Sequence, residues 1–176
     1  MLKRLLRNYW MLLLVSGAVI LLDQWTKALV RAHLAPGEMW APWDWLMPYA
    51  RFVHWYNTGV AFGLFQGKGD WFIFLAIIIA VFIVLYYPRV PDQDWSLRLA
   101  MSLQLGGALG NMIDRLHQGY VTDFISVGTF PVFNIADSSI TIGVIILLLG
   151  VYLQERRERR LAQESRESPP ENPVVQ

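Results

Sequence analysis

The chain has 176 residues, 55% of them hydrophobic and 16% charged, with a formal net charge of +1. A soluble domain of this size is about one quarter charged, so the balance and the positive mean hydropathy of +0.35 favour a membrane protein. Cysteine is absent, which excludes disulfides, thiolate catalysis and cysteine-ligated metal centres, and His33, His54 and His117 are too scattered for a zinc-hydrolase motif.

A spanning helix needs about 20 mostly apolar residues, and four stretches supply them. A basic lead over residues 1–8 precedes the first helix, at about 9–30. That helix is too long for a removable signal peptide and lacks a small-residue cleavage site. Within it Asp23 and Lys27 lie four apart, on one face, either as a partly buried ion pair or with Lys27 fixing the backbone or electrostatics of a nearby site. Residues 31–70 hold Trp40, Trp43, Trp45 and Trp55 among prolines and glycines, which predicts short strands or turns and an interfacial aromatic belt. The second helix covers about 71–87.

The third helix covers about 97–116. Gly106 and Gly110 give it a small face for close packing. The polar run Asn111, Asp114 and Arg115 follows, with Asp114 and Arg115 read as a helix-end charge pair and Gly119 as terminator. Residues 121–127 alternate as a strand does. The fourth helix covers about 135–153, with Asn134 as N-cap and Asp137 at the third helical position, as in a capping box. Residues 1–155 form one membrane domain, and residues 156–176 are expected to be a disordered cytoplasmic tail. Lys and Arg cluster at the termini and the central loop, which places both ends in the cytoplasm and Asp123 and Asp137 at the outer face.

Carboxylates near hydrocarbon are costly and mark function. Asp137 has a capping role to explain it, whereas Asp123 has none. Two neighbouring carboxyls hold one proton between them, so one can activate water while the other donates a hydrogen bond to a carbonyl oxygen. That chemistry is hydrolysis without metal, cofactor or covalent intermediate.

Five blocks carry a resemblance: Leu22-Asp23-Gln24-Trp25-Thr26-Lys27, Asn57 through Gly63, Gly106 through Arg115, Val121-Thr122-Asp123-Phe124, and Phe133-Asn134-Ile135-Ala136-Asp137. In this order, over roughly residues 8–155, the chain resembles the lipoprotein signal peptidases (signal peptidase II), bacterial integral-membrane aspartyl proteases. The resemblance implies four transmembrane helices with a small β-rich cradle at the outer membrane face. It implies a catalytic pair at Asp123 and Asp137, with Asp23, Lys27, Asn57, Gly107, Asn111, Arg115 and Asn134 supporting the site or the substrate. It also implies cleavage of diacylglyceryl-modified prolipoproteins just before the lipidated cysteine, in the bacterial plasma membrane. Lipid-modified substrates and membrane lipids are the expected partners; no cofactor, metal or nucleic acid is expected, and a monomer suffices because one chain supplies both aspartates. Two other readings stand beside this one. The first is a small proton-coupled transporter using Asp23, Asp114, Asp123 and Asp137 as a relay; the second is a non-enzymatic assembly subunit.

Overall fold

The computed structural model describes residues 2–59, 66–67 and 69–167. Helix α1 runs Leu2–His33, followed by strand β1, Met39–Trp40, and strand β2, Ala50–Asn57. Helix α2 covers Gly69–Tyr86, α3 Trp95–Gln118, strand β3 Val121–Val127 and α4 Ile135–Glu167. All four expected helices are present, with a small antiparallel sheet in the order β1-β2-β3. The Val60–Gly63 part of one sequence block lies outside the described residues.

Helix boundaries follow the local chemistry. Asp94 caps α3 by accepting from the Leu97 amide at 3.2 Å, and Gly119, at φ 78°, closes its end with an N–H bond to the Arg115 carbonyl. α4 opens on a reciprocal capping box. The Asn134 side chain accepts from the Asp137 amide at 2.9 Å, and the Asp137 carboxylate accepts from the Asn134 amide at 3.1 Å. Its other end lies well past Leu153. The run that opens the expected tail is helical, with Glu155 and Arg159 paired one turn apart. Residues 168–176 lie outside the described part.

α1, α2 with the short turn that follows it, and α4 each supply a stretch long and apolar enough to cross a membrane: Asn8–His33, Gly69–Arg89 and Ile135–Gln163. Their outward faces expose Leu21, Phe74, Phe82 and Leu148, as a lipid-facing surface requires. α3 is the polar helix, and it packs against all three others. A buried cluster of Leu12, Ile83, Tyr87, Met101 and Leu105 joins α1, α2 and α3 at the end where α1 begins. There Arg98 donates to the Val90 carbonyl at 2.8 Å, pairs with Asp92 and lies over the Tyr87 ring, which organises the turn between α2 and α3. The sheet lies at the opposite end.

Glycines set how closely α3 can approach its neighbours. A Cβ on Gly106 would fall 2.7 Å from Val19, and one on Gly110 would fall 2.7 Å from Asp23 Oδ2, so both serve the α1 contact. Gly107 serves α4 instead: a Cβ there would fall 2.4 Å from the Ala136 carbonyl oxygen, which is backbone and cannot turn aside. Gly107→Ala is therefore expected to cost roughly 1–3 kcal/mol by forcing α3 and α4 apart. Gly17→Ala, where nothing lies within 4 Å, serves as the control and should be neutral or slightly stabilising. Thermal unfolding of the two variants in detergent checks the contrast.

Candidate active site

β3, the edge strand of the sheet, and the start of α4 lie side by side, and each brings one aspartate. Asp123 lies in the middle of β3, opposite Trp55 of β2. Asn57, two residues further along β2 and opposite Val121, is its diagonal neighbour, and the Asn57 amide reaches Asp123 Oδ2 at 2.8 Å. Asp137 enters from the first turn of α4. Asn134 joins the two: its Nδ2 donates to Asp123 Oδ1 at 2.7 Å, while its backbone N–H donates to Asp137 Oδ2. The remaining oxygen, Asp137 Oδ1, accepts from Asn111 Nδ2 at 2.8 Å. Every carboxylate oxygen of the pair thus meets one N–H donor.

Behind Asn111 lies a second layer of charge. The Lys27 ammonium is fully buried and donates to Asp23 Oδ2 at 2.8 Å, Asp114 Oδ2 at 3.1 Å and Asn111 Oδ1 at 2.9 Å. Its three protons meet three acceptors. Asp23 also accepts from the Ala136 amide at 3.0 Å, tying α1 to the first turn of α4. Asp114 accepts from the Thr122 amide at 3.0 Å and faces Arg31 at 3.6 Å, which ties α3 to β3 and α1.

The expected Asp114–Arg115 pair does not form, because adjacent helical residues point in different directions. Arg115 instead donates to the Gly59 carbonyl at 3.0 Å and lies over the Phe72 ring, which links α3 to the end of β2 and to α2.

Two clefts meet at Asp123. One, of about 620 Å³, is walled by Phe72, Leu75 and Ile79 of α2 and by Ile140, Thr141 and Ile142 of α4, with Asp123, Asp137, Asn57, Asn111 and Arg115 at its head. The other, of about 430 Å³, lies over the sheet and is lined by Arg51, Trp55, Thr58, Gln66, Ser126 and Thr129 as well as Asp123. The segment Phe130-Pro131-Val132 borders both. Asp123 is nearly inaccessible, and burial pushes its carboxyl up to about 7, with the Asp137 charge adding to the rise. Hydrogen bonds from Asn57 and Asn134 and the Lys27 charge pull the other way. A carboxyl of this kind keeps its proton near neutrality beside an ionised partner, which is the condition for paired acid–base chemistry.

Of the residues named from the sequence, Asp123, Asp137, Asn57, Asn111, Asn134 and Arg115 come together here. Asp23 and Lys27 stand one layer behind, and Gly107 lies away from the cleft, at the α3–α4 contact. Arg31, Gln24 and Thr122 were missed. Gln24 donates to both Asp23 and Asp114 at 3.2 Å, and Arg31 continues the Asp23–Lys27 face by one further turn, a spacing visible in the sequence.

Helices of membrane-spanning length around a sheet-capped polar site define the class, an integral membrane enzyme. Two solved bacterial membrane enzymes share the fold. One has a TM-score of 0.74 and 31% identity over 91% of this chain and 93% of that one. The other has 0.71 and 33% over 80% and 91%. The chain belongs to the signal peptidase (SPase) II family, whose sequence pattern matches residues 15–153. Among similar proteins, the lipoprotein signal peptidase of Moorella thermoacetica is 42% identical over 148 residues, covering 84% of this chain and 97% of that protein. That of Dehalococcoides mccartyi is 44% identical over 137 residues, covering 74% and 81%. The chain is therefore a membrane protease, and neither the transporter nor the assembly-subunit reading stands.

Proposed function

We propose that this chain is an aspartyl endopeptidase that removes signal peptides from diacylglyceryl-modified prolipoproteins, cleaving before the lipidated cysteine. One member of the Asp123–Asp137 pair takes a proton from water as the oxygen attacks the scissile carbonyl carbon. The other donates its proton to the carbonyl oxygen as charge develops there. Collapse of the resulting gem-diol breaks the C–N bond: the carboxyl that took the water's proton passes it to the departing amine, while one gem-diol hydroxyl returns its proton to the other carboxylate, so the pair again holds one proton.

The observation that carries this reading is the position of Asp123 where an apolar cleft meets a polar one. A prolipoprotein changes character at the scissile bond in the same way. Its signal peptide is a hydrophobic helix suited to the cleft between α2 and α4. The chain beyond the cysteine is polar and suits the cleft over the sheet. Exposed Trp40, Trp43, Trp45 and Trp55 suit the membrane–water boundary, where such a bond would lie. The sheet end then faces outward. The basic termini and Arg89 face the cytoplasm, in keeping with the distribution of positive charge.

The test is cleavage by purified protein in detergent of a prolipoprotein with and without its diacylglyceryl group. Cleavage of the modified form alone, at the bond before cysteine, is the expected result. Equal cleavage of both forms, or cleavage elsewhere, would remove the lipid-dependent reading.

A further inference from the structure

Resting on that proposed dyad, we infer that Lys27, acting through the Asn111 amide, makes Asp137 the ionised base of the pair and leaves the shared proton on Asp123. Lys27 is a positioning residue, since it touches neither the cleft nor the reacting atoms.

The direction of each amide at the site is set by a group that can only donate. Lys27 Nζ has no lone pair, so Asn111 must turn Oδ1 towards it and Nδ2 towards Asp137 Oδ1. A cation on its oxygen polarises that amide and strengthens the N–H it offers. The other Asp137 oxygen accepts a backbone N–H at the start of α4, where the helix dipole favours negative charge. Both features hold Asp137 as a carboxylate.

Asp123 has weaker support for a charge. It sits on a strand and meets the start of α4 only through the Asn134 side chain, with no helix-start backbone N–H on either oxygen. Asn57 is turned by the Gly59 N–H at 2.9 Å, a neutral donor. Asn134 is turned by the Asp137 N–H, also a neutral donor, and gives one Nδ2 proton to Asp123 Oδ1 and the other to Asn111 Oδ1, the latter at 3.1 Å. Lys27 reaches Asp123 through two amides but reaches Asp137 through one. The other charged groups around the pair are Asp23 and Arg31 from α1, Asp114 and Arg115 from α3 and Arg51 from β2, the last lining only the cleft over the sheet. Beside burial, the Asp137 charge adds to the rise at Asp123, which agrees with the charge on Asp137 and the proton on Asp123.

Water is then activated at Asp137 and the carbonyl oxygen is received by Asp123. The rate should rise with pH as Asp137 ionises and fall as Asp123 does, the second limb near 7.

The test is the pH profile of kcat/KM, which reports the groups of the free enzyme, for wild type, Lys27→Met/Asp23→Asn and Asn57→Ala. The double substitution removes one charge of each sign, so that Asp23 is not left ionised and buried without its cation. Its ascending limb is expected to move up by about one pH unit, a base losing a nearby cation, and its descending limb by less. Asn57→Ala takes a donor from Asp123 alone and should raise the descending limb only. A lower kcat/KM with both limbs unmoved would reduce Lys27 to a structural role. Movement of the descending limb alone in the double variant would reverse the assignment. Full activity of Asp123→Asn or Asp137→Asn would instead overturn the dyad itself, which separates the two failures.

Discussion

Asp123→Asn and Asp137→Asn are each expected to reduce kcat for prolipoprotein cleavage by roughly 10²–10⁴-fold, the contribution of a positioned acid or base. Each substitution also carries a structural cost. An asparagine at 137 can keep its oxygen towards the Asn134 N–H, but its NH2 then meets the Asn111 NH2, and the polarised amide loses its acceptor. At 123 both oxygens accept from side-chain amides, Asn57 and Asn134, so an NH2 must face a donor whichever way it turns. A buried donor left without an acceptor costs about 1–3 kcal/mol. Thermal unfolding in detergent, run beside the cleavage assay, separates this cost from the loss of chemistry. Activity persisting in a folded variant would remove that aspartate from the reaction.

The largest stability effect is expected at Lys27. Lys27→Met keeps most of the side-chain volume but leaves Asp23 and Asp114 buried without the cation between them. Removing one partner of a buried ion pair costs about 3–5 kcal/mol. For a chain of this size that corresponds to a Tm lower by roughly 6–20 °C. Adding Asp23→Asn should recover much of the loss, because Arg31 and the Thr122 N–H still serve Asp114. A Tm for Lys27→Met close to wild type would mean that the two carboxylates take up protons without strain on the fold. Equal losses in the single and double variants would place the defect in packing.

These expectations depend on a network that is continuous from α1 to β2. Lys27 bonds Asn111, Asn111 bonds Asp137, and Asn134 bonds both aspartates. Single substitutions in it will be non-additive, since neighbours share donors and acceptors. The double variant is for this reason more informative than the sum of its parts.

Much of the architecture was legible along the chain. The four helices follow from the pattern along the chain, although α3 is too polar to count as a span by apolar length alone; the Asp23–Lys27 pair follows from a four-residue spacing, and the start of α4 from Asn134 and Asp137. All of these are local, settled by residues within a turn or two of one another. The glycines were legible as a packing face, but their division between two helices was not. Gly106 and Gly110 meet α1 while Gly107 meets α4, a matter of which neighbour lies on which side.

The contacts that make the site are of the other kind. Asn57 and Asp123 are separated by 66 residues, and Lys27 and Asn111 by 84. Asp114 was assigned to its neighbour Arg115, yet it serves Lys27 and the Thr122 amide, because helical geometry turns adjacent side chains apart and packing chooses the partner. Local spacing by itself thus determined the helices, their caps and the residue types of an acid–base site. Only the tertiary structure decided which donor meets which carboxylate oxygen, since that depends on how α1, α3, β2 and β3 pack around the first turn of α4.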